Sequence, residues 1–560
     1  MANKLELTWY GKEDRIEIEP RLLIEDKLLS NCYNDTDTEN MLIHGDNLLA
    51  LKALEKAGYT GRVKCIYIDP PYNTGEAFEH YDDNLEHSIW LNLMYMRLKS
   101  LRNLLAEDGF FCCQIDDSEG HYLKAILDEI FGRNNYLTTI YIRVRYPEKT
   151  LKQDMAFHKE IEQVHIYRKS SLAKPILRTV EANFDKFQYK VLITDKPIKE
   201  IVLGGKKVEV YSKGSYQIIK EEGNEYGLKE IWASGTILDG NSSGRFFRDF
   251  LTGRYEDDGY GVLYKVYDIG DDRYDYRFFT GPNKIGATKG KYYQGVPIDK
   301  LASGNMTKEL PINGFLDLAA NFGNCRQEGS AEFRGGKKPE ILIMELLSYF
   351  SKPGDLVLDS FLGSGTTAAV AHKMNRKYIG IEMGEHCYSL CHKRLNKVIE
   401  GDKTGITKIV DWQGGGAYKF YELAPSLIIE DEFGEYVINK EYNAEMLAAA
   451  VALHEGYKYQ PDKDIYWKQA IANEKSYLFT TTRCITSDYI ESIHNSMQDD
   501  EFLIIACKSF ISGVETQFSN IKVKKIPQML LDNCEFGKTD YNLNIVRPPV
   551  YEEESEEDDE

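Results

Sequence analysis

The sequence predicts an α/β protein whose mostly parallel sheet is covered by helices on both faces. Three observations predict this fold class. Residues 40–170 and 338–420 alternate short apolar runs, rich in β-branched residues, with longer stretches of helical periodicity. Strands that alternate with helices of this length form parallel sheets. Between the two halves, residues 171–337 are rich in Gly, Lys, Tyr and Phe and lack that rhythm, which predicts a β-rich inserted domain.

The first half of the sheet follows an N-terminal segment, residues 1–39, in which 21–26 has a helical pattern. A strand then leads through a turn at Gly45 into a helix that is capped by Asp46 or Asn47. The strands of this half are predicted at 40–44, 63–68, 110–115 and 163–167, and the helices from 47, at 85–106 and at 122–130.

The strand at 63–68 ends in Asp69-Pro70-Pro71-Tyr72. Proline fixes φ and lacks an N–H, so the pair predicts a stiff loop in place of a continued strand. At the carboxyl end of a strand in an open α/β sheet, such a loop is placed to bind a ligand. A rigid carboxylate beside an aromatic face suits a planar base with an exocyclic amine. The same four residues are equally compatible with a strand-terminating turn and a solvated aspartate.

The second half contains a glycine-rich loop that follows a strand ending at Asp359 and opens into a helix. Glycines let the backbone approach a ligand closely, and a helix N-terminus offers N–H groups to a carboxylate. Glu382, at the tip of the next strand, is placed to accept hydrogen bonds from two ribose hydroxyls. Together these features predict a nucleotide-type pocket. The loop residues that form it are Phe361, Gly363, Gly365, Thr366 and Thr367.

A dinucleotide-binding enzyme is the obvious rival for such a pocket. However, the loop has the pattern Phe-x-Gly-x-Gly-Thr and not Gly-x-Gly-x-x-Gly. The sequence also lacks Gly-x-x-x-x-Gly-Lys-[Ser/Thr], which argues against a nucleotide-triphosphate motor.

The remaining elements complete the fold class. Helices are predicted at 339–350 and 385–400, around strands at 356–358 and 376–382. Residues 421–551 predict a smaller α/β module, with a helix at 444–453, strands near 476–481 and 502–507, and a helix between those strands. Residues 552–560 are almost entirely acidic, and we expect them to be disordered.

Composition narrows the classes of function. The 560 residues contain no apolar run that could span a membrane and no signal-peptide h-region, so we expect a cytoplasmic protein of two to four domains without membrane contact. The net charge of −20 argues against nucleic-acid binding over the whole surface. The middle region is nevertheless slightly basic, and local charge governs binding to DNA.

The ten cysteines are scattered and form no Cys-x-x-Cys pair, as expected of reduced thiols in a cytosolic protein. Cys387 and Cys391, flanked by His386 and His392, are one helical turn apart. Core packing is favoured over metal binding there, because a structural zinc draws its ligands from two separated pairs. No metal site is predicted.

The loops at 69–72 and 359–367 together resemble those of DNA amino-methyltransferases that use S-adenosyl-L-methionine. The catalytic loop precedes the cofactor loop and a variable domain lies between them, which is similar to the β-class order. Further blocks in the same order resemble the modification (Mod) subunits of Type III restriction–modification systems. The likeness is dense over 40–170 and 337–420 and looser over the C-terminal module. The blocks are Gly45-Asp46-Asn47-Leu48, Asp69-Pro70-Pro71-Tyr72-Asn73-Thr74-Gly75, Tyr81-Asp82-Asp83-Asn84, His87-Ser88-x-Trp90-Leu91, Gln114-Ile115-Asp116-Asp117, Asp128-Glu129-Ile130-Phe131-Gly132, Lys338-Pro339-Glu340 and Trp412-Gln413-Gly414-Gly415-Gly416.

One block departs from the family. Where the family often shows Phe-x-x-x-His-Glu, this chain has Phe157-x-x-x-Ile161-Glu162. The aromatic residue is kept, but the histidine position is Ile161, so no polar role is carried over to it.

The resemblance implies a Rossmann-like S-adenosylmethionine-dependent methyltransferase sheet and a role for each loop residue. Asp69 is expected to accept a hydrogen bond from the target amine, the backbone carbonyl of Pro70 a second one, and Tyr72 to stack on the base; Pro71 completes this catalytic loop. Because the target atom is unreachable inside a duplex, the base must be flipped out. The adenine of the cofactor is expected to lie near Asp46, and its ribose near Glu382. Its methionine end is expected to contact Gly363, Gly365, Thr366 and Thr367. The residues that complete the pocket are Lys338, Pro339, Asp359 and Phe361.

The resemblance further implies an adenine-N6 methyltransferase that acts on double-stranded DNA as the modification and recognition subunit of a Type III system. It implies a helicase–nuclease partner. We also expect a homodimer, with residues 421–551 as the candidate place for subunit contacts; the alternative is a module that only stabilises the core. Residues 171–337 are expected to recognise the target sequence. The alternative is a β-rich module whose tyrosines are simply half-buried, and for any single residue this alternative is favoured. The candidate contacts are Arg254, Tyr255, Tyr260, Tyr264, Lys265, Arg273, Tyr274, Tyr276 and Arg277. Two alternatives stay open: a solitary adenine or N4-cytosine methyltransferase without a nuclease, and a non-catalytic DNA-binding subunit.

Overall fold

The computed structural model divides the chain into two compact units, Met1–Ile176 with Asn313–Glu560, and Leu177–Ile312. It describes residues 6–13, 17–33, 35–73, 87–147, 158–181, 184–236, 242–298, 307–330, 336–473, 475–531, 534–539 and 541. Phe157, the blocks at 74–75 and 81–84, and the acidic tail at 552–560 lie outside the described residues.

The first unit is built on a ten-stranded mixed sheet. Its six central strands are parallel to one another, and antiparallel pairs lie on either side of these six strands. The order across the sheet is β1 (Leu23–Asn31), β20 (Tyr418–Leu423), β2 (Met41–His44), β19 (Lys377–Glu382), β18 (Leu356–Asp359), β3 (Val63–Ile68), β4 (Leu105–Ile115), β6 (Ile161–Arg168), β5 (Tyr136–Arg143) and β17 (Phe315–Asp317). The predicted α/β fold class is therefore confirmed.

Helices bury this sheet. The longest helix, α2 (His87–Leu104), carries apolar residues three and four positions apart. Trp90, Leu98 and Leu101 on that stripe are fully buried. They pack with Ile66 and Phe111 of the sheet in one core, where each such side chain contributes about 1.5–3 kcal/mol. The helices of this part are α1 (Asn47–Leu54), α2 (His87–Leu104), α3 (Gly120–Leu127), α6 (Ala319–Asn324), α7 (Glu340–Phe350), α8 (Thr366–Lys373) and α9 (Lys393–Ile399).

One prediction of secondary structure is wrong, and one strand is missing from the prediction. The helical pattern at 21–26 is part of strand β1, because antiparallel pairing with β20 satisfies its backbone and outweighs a weak helical preference. Strand β5 was not predicted, although it pairs with β6. The helix expected at 385–400 is confirmed, and it consists of a π-helical turn, Cys387–His392, that continues directly into α9.

The second unit is antiparallel and β-rich, as predicted. Its core lies under a six-stranded sheet and includes Val208, Phe247, Val266 and Phe279. The sheet order is β12 (Lys229–Ala233), β15 (Gly290–Gln294), β14 (Tyr276–Thr280), β13 (Leu263–Tyr267), β10 (Lys206–Tyr211) and β9 (Lys199–Leu203). The unit also contains the pairs β8 (Tyr189–Ile193) with β11 (Tyr216–Lys220) and β7 (Arg178–Glu181) with β16 (Thr307–Leu310), and helices α4 (Ser242–Phe246) and α5 (Tyr255–Asp258).

The C-terminal part of the first unit has a sheet of its own. Three of its strands are parallel: β25 (Ser476–Ile485), β26 (Phe502–Phe510) and β27 (Ile521–Lys525). This is the smaller α/β module that the sequence predicts. Its elements are β21 (Ile428–Glu430), β22 (Tyr436–Ile438), α10 (Ala444–Glu455), β23 (Lys458–Tyr459), β24 (Ala470–Asn473), β25 (Ser476–Ile485), α11 (Ser487–His494), β26 (Phe502–Phe510), β27 (Ile521–Lys525) and α12 (Gln528–Leu531). Within the described ranges, no helix is both long and apolar enough to cross a lipid bilayer.

Candidate active site

Two loops from distant parts of the chain lie side by side at the carboxyl edge of the central sheet. Strands β3 and β18 are parallel neighbours, with Cys65 opposite Val357. Parallel strands end at the same edge, so the loop that begins at Asp69 and the loop that follows Asp359 emerge together. The carboxyl groups of Asp69 and Asp359 interact. Burial is the main cause that raises the pKa of Asp359 to about 7, and the charge of Asp69 acts in the same direction.

The loop of residues 69–73 is anchored at two points beyond Asp69. The indole N–H of Trp90, in α2, donates a hydrogen bond of 2.8 Å to the carbonyl oxygen of Pro71. The side-chain amide of Asn73 donates to Glu119 at 2.7 Å, and Asn73 adopts a positive φ of 58°. Pro70 is buried between these anchors and β3. The two prolines and the two anchors together hold the Asp69 side chain in a fixed place.

Both carboxylate oxygens of Asp69 are engaged. The hydroxyl of Tyr72 donates to Oδ1 at 2.7 Å, and Nζ of Lys338 lies 3.0 Å from Oδ2. The sequence places Lys338 in the cofactor half, and its backbone carbonyl does accept a hydrogen bond of 3.2 Å from Thr366. Lys338 thus contacts the glycine-rich loop with its backbone and the catalytic loop with its side chain.

Glu162, in β6, is a further residue of this site to which the sequence assigned no role. Its Oε2 accepts from the hydroxyl of Tyr72 at 2.9 Å and lies 3.4 Å from Nζ of Lys338. The side-chain amide of Gln114, in β4, donates to the same oxygen. The signal for Glu162 is present in the sequence, since it is the Glu of the Phe-x-x-x-Ile-Glu block.

Two carboxylates therefore share one ammonium group in a largely buried site. Burial raises the pKa of Asp69, and the charge of Glu162 adds to that rise although Lys338 opposes it. Burial acts on Glu162 in the same direction, but Lys338 and the donors Gln114 and Tyr72 outweigh it and hold the pKa of Glu162 below its usual value. Glu162 is thus the more firmly ionised of the two carboxyl groups, and Asp69 is the one more readily protonated.

Asp359 fastens the glycine-rich loop to α8. Its Oδ1 accepts a hydrogen bond of 3.0 Å from the backbone N–H of Phe361, and its Oδ2 accepts one of 2.6 Å from the hydroxyl of Thr367. Gly363 and Gly365 adopt φ values of 56° and 77°, which disfavour any side chain. The loop therefore turns tightly and directs the first N–H groups of α8 towards the edge where the catalytic loop lies.

Glu382 and Asp46 lie further along the same edge, at the ends of the parallel neighbours β19 and β2. Glu382 accepts hydrogen bonds from the backbone N–H groups of Gly363 at 2.7 Å and Gly384 at 2.9 Å. Burial would raise the pKa of Glu382, but His386, 3.1 Å away, and these N–H groups hold it below its usual value. Asp46 is the N-cap of α1 and lies 3.1 Å from Nη2 of Arg97.

A buried ionic network supports the glycine-rich loop, and sequence patterns gave no sign of it. Arg394 donates to the carbonyl oxygen of Ser364 at 3.1 Å and to the hydroxyl of Thr366 at 2.8 Å. Its other nitrogen pairs with Glu340 at 2.8 Å, and Lys373 lies 2.9 Å from the same carboxylate. All three charged side chains are fully buried. The network connects α7, α8 and α9 beneath the loop.

The cysteines of the π-helical turn pack against the same loop. Cys391 donates from Sγ to the carbonyl oxygen of Gly363 at 3.0 Å, and both Cys387 and Cys391 are fully buried. In the described part of the chain, no three His, Cys, Asp or Glu side chains are grouped so that they could hold a metal ion.

The second unit contains a pocket of about 340 Å³, and half of the residues that line it are aromatic. Two cations flank it: the guanidinium of Arg273 lies 4.1 Å from the ring centroid of Tyr226, and the ammonium of Lys265 lies 4.2 Å from that of Tyr276. The aromatic lining residues are Phe187, Tyr189, Tyr226, Tyr274, Tyr276, Phe278 and Tyr293.

Two of the nine candidates for DNA contact are buried. Tyr264 is 1% exposed and donates to Asp258 at 3.0 Å, and Arg277 is 1% exposed and pairs with Asp272 at 2.7 Å. Both belong to the interior of the unit, because alternate residues of β13 and β14 face inward.

Comparison with known proteins gives a family match over residues 63–393, more than half of the 560 residues, to the model described as DNA methylase. The chain is 33% identical over 416 residues to the probable type III restriction-modification enzyme HindVI Mod subunit of Haemophilus influenzae, which covers 70% of this chain and 54% of that protein. It is 27% identical over 423 residues to the type III restriction-modification enzyme EcoPI Mod subunit of Escherichia phage P1, with 67% and 62% covered. A third relative, the EcoP15I Mod subunit of Escherichia coli, is 24% identical over 496 residues, with 76% and 72% covered. The chain thus spans little more than half the length of the first two relatives.

Proposed function

Because this chain belongs to the DNA methylase family, we propose that it transfers a methyl group from S-adenosyl-L-methionine to N6 of adenine in double-stranded DNA, as the modification and recognition subunit of a Type III restriction–modification system. The observation that carries the proposal is the adjacency of β3 and β18, which brings the Asp69 loop beside the glycine-rich loop. The Mod-subunit names of the relatives support the assignment to a Type III system.

The residues of the second loop fit the proposed methyl donor. The Ser360 hydroxyl is buried and has no hydrogen-bond partner among the described residues. The N-terminus of α8 suits the carboxylate of the donor, while Glu382 suits its ribose, because each carboxylate oxygen can accept more than one hydrogen bond. Asp46, beside Glu382 along the edge, is assigned to the adenine side. Gly363, Gly365, Thr366 and Thr367 would hold the methionine end, with Lys338, Pro339, Asp359 and Phe361 around it. When bound, S-adenosyl-L-methionine supplies an electrophilic methyl group.

The catalytic loop acts on the target base. Asp69 accepts one N–H of the exocyclic amine and the backbone carbonyl of Pro70 accepts the other, so the nitrogen lone pair is oriented for attack. Tyr72 stacks on the base, which has left the duplex at a cost of a few kcal/mol. As the amine becomes methylated it must lose a proton, and Asp69 is suited to take it because burial raises its pKa. Fixed groups that position and stabilise charge account for most of the acceleration.

The second unit is proposed to recognise the target sequence. A methyltransferase sheet presents few groups to base edges, so recognition requires additional surface. The aromatic pocket with Arg273 and Lys265 at its rim supplies faces for stacking and cations for phosphate or guanine. We assign subunit contacts of a homodimer to residues 421–551, and expect a helicase–nuclease partner in the same cytoplasm.

The experiment that tests the proposal is single-molecule sequencing of DNA from cells that express the chain. We expect N6-methyladenine at one sequence motif, and no modification in cells that express Asp69→Ala. N4-methylcytosine would contradict the choice of adenine as the target base. Unmodified DNA in cells in which expression of the chain is verified would contradict the enzymatic function. Cleavage of unmodified DNA by the chain together with the product of a neighbouring helicase–nuclease gene would support the Type III assignment.

A further inference from the structure

We propose that Glu162 is a positioning residue that takes over the hydroxyl hydrogen bond of Tyr72 when Asp69 engages the target amine. This inference rests on the proposed function and adds to it a residue and a rearrangement that the catalytic loop alone does not contain. Glu162 is in β6, outside both loops that define the family resemblance.

The first step concerns one hydrogen atom between two acceptors. The hydroxyl oxygen of Tyr72 lies 2.7 Å from Oδ1 of Asp69 and 2.9 Å from Oε2 of Glu162. A phenol has a single O–H, so it donates fully to only one of these oxygens at a time. The two acceptors are nearly equidistant, and a rotation of the hydroxyl hydrogen about the C–O bond transfers the hydrogen bond without movement of the ring.

The second step concerns what happens when the base arrives. Asp69 must then accept an N–H from the amine, and a buried hydroxyl without a partner weakens binding substantially. Glu162 prevents this loss, because its Oε2 is already within reach of Tyr72. The ring of Tyr72 can therefore stay in place for stacking while its hydroxyl changes partner.

The third step concerns the rigidity of the second acceptor. The side-chain amide of Gln114 donates to Glu162, and the hydroxyl of Tyr67 donates to the side-chain oxygen Oε1 of Gln114 at 2.6 Å. Gln114 is fully buried and Tyr67 is 2% exposed. Two strands of the central sheet thus fix the position of Glu162, which makes it a preformed acceptor.

The fourth step concerns charge. Glu162 is a like charge near Asp69, and removing it lowers the pKa of Asp69, whereas Lys338 acts in the opposite direction. The titratable or charged groups that face Asp69 are Tyr67 in β3, Tyr72 in its own loop, Cys113 in β4, Glu162 in β6, Lys338 before α7 and Asp359 at the end of β18.

The test is a double-mutant cycle on steady-state methylation of duplex DNA by the full chain, with Glu162→Met, Tyr72→Phe and the two combined. Methionine has a similar length but provides no strong acceptor. We expect Glu162→Met to lower kcat/KM roughly 10- to 100-fold in the wild-type background, as loss of a partner for a buried hydroxyl does. In the Tyr72→Phe background there is no hydroxyl to accommodate, so we expect the same substitution to have an effect of less than about 3-fold. An equal loss in both backgrounds overturns the proposal.

A second variant keeps the proposal falsifiable where Glu162→Met does not fold. Glu162→Gln retains an acceptor oxygen, so we expect it to keep more activity than Glu162→Met. Because it removes the negative charge near Asp69, we also expect the acid limb of its kcat/KM profile to move to lower pH by about half a unit or more. An unmoved acid limb, or one at higher pH, overturns the proposal. Glu160→Gln is the matched control, because the Glu160 carboxylate pairs with Arg143 at 3.1 Å in a partly exposed site next to the same strand, and no other ion pair of Glu160 is found among the described residues. Its profile should coincide with that of the wild type.

The outcomes separate this inference from the proposed function. A wild-type chain that methylates no DNA overturns both. A wild-type chain that methylates DNA while the cycle shows no coupling overturns the role of Glu162 alone.

Discussion

The ammonium group of Lys338 lies 3.0 Å from the carboxylate of Asp69. The two residues are far apart in sequence, since Asp69 follows β3 and Lys338 precedes α7. Both side chains are largely buried, at 8% and 19% exposure. The pair joins the half of the sheet that carries the catalytic loop to the half that carries the glycine-rich loop. Since Lys338 also contacts Thr366 through its backbone, one residue fixes the distance between the two loops.

Replacement of Asp69 should abolish methyl transfer while the donor still binds. We expect Asp69→Ala to lower the rate of methylation at least about 100-fold, because the amine loses the acceptor that orients it. Transfer of a labelled methyl group to DNA measures the rate, and calorimetric titration with S-adenosyl-L-methionine measures the affinity. Asp117→Ala is the matched control, since the Asp117 side chain is 67% exposed. A rate near that of the wild type would contradict the role of Asp69.

Asp359 should make the folded protein less stable as the pH rises. Its pKa is raised from 3.8 to about 7 by burial, so between these values the folded state holds one proton more than the unfolded state. Stability therefore falls as the pH rises through that window. Asp359→Asn keeps a carbonyl acceptor for Phe361 and has no such titration. We expect the melting temperature of the wild type to fall more than that of the variant between about pH 4 and 7; parallel curves would contradict the assignment.

Removal of Glu340 should destabilise the first unit strongly. Arg394 and Lys373 would be left as buried charges without their shared partner, and breaking such a network destabilises a protein by about 3–5 kcal/mol. Denaturant unfolding of Glu340→Ala measures the change. Glu400→Ala, at the exposed end of α9, should change stability by less than about 0.5 kcal/mol. Equal stabilities of the two variants would exclude a supporting role for the network.

The aromatic pocket of the second unit should contribute to DNA affinity. We expect Tyr226→Ala to weaken binding by about 1–3 kcal/mol, the contribution of one base stacked on an aromatic ring. Fluorescence anisotropy with a labelled duplex containing the methylated motif measures this. The donor affinity should stay unchanged, since Tyr226 belongs to a different unit from both loops. Tyr436→Ala is a suitable control because Tyr436 is similarly exposed, at 52% against 62%, but lies in the first unit. An equal effect of the two substitutions would refute the assignment.

The chain should dimerise. Subunit contacts are assigned to residues 421–551, of which Tyr421–Leu423 are the end of strand β20 in the central sheet. Deletion of residues 424–551, which leaves β20 whole, should therefore leave only monomers in any preparation that folds. Sedimentation velocity at micromolar concentration, with and without DNA, measures the oligomeric state. A monomeric full chain in the presence of DNA would contradict the prediction.

Local chemistry in the sequence determined much of this site. Two prolines after an apolar run fix a loop wherever the run is placed, and glycines followed by threonines open a helix with free N–H groups. Both statements concern neighbouring residues, so they could be made without knowledge of the fold. The alternation of strands and helices likewise determined that the two loops share one edge, because parallel strands end together.

Only the tertiary structure decided which long side chains meet there. Glu162, Lys338 and Arg394 reach their partners across several strands or helices, and a charge placed at a given position in the sequence carries no sign of the direction in which its side chain extends. Strand β1 shows the same limit, since it forms only because β20, which comes much later in the chain, lies beside it and provides a pairing edge. The backbone of each loop follows from residues that are adjacent in sequence, whereas the charge state of Asp69 follows from residues that are adjacent only in space.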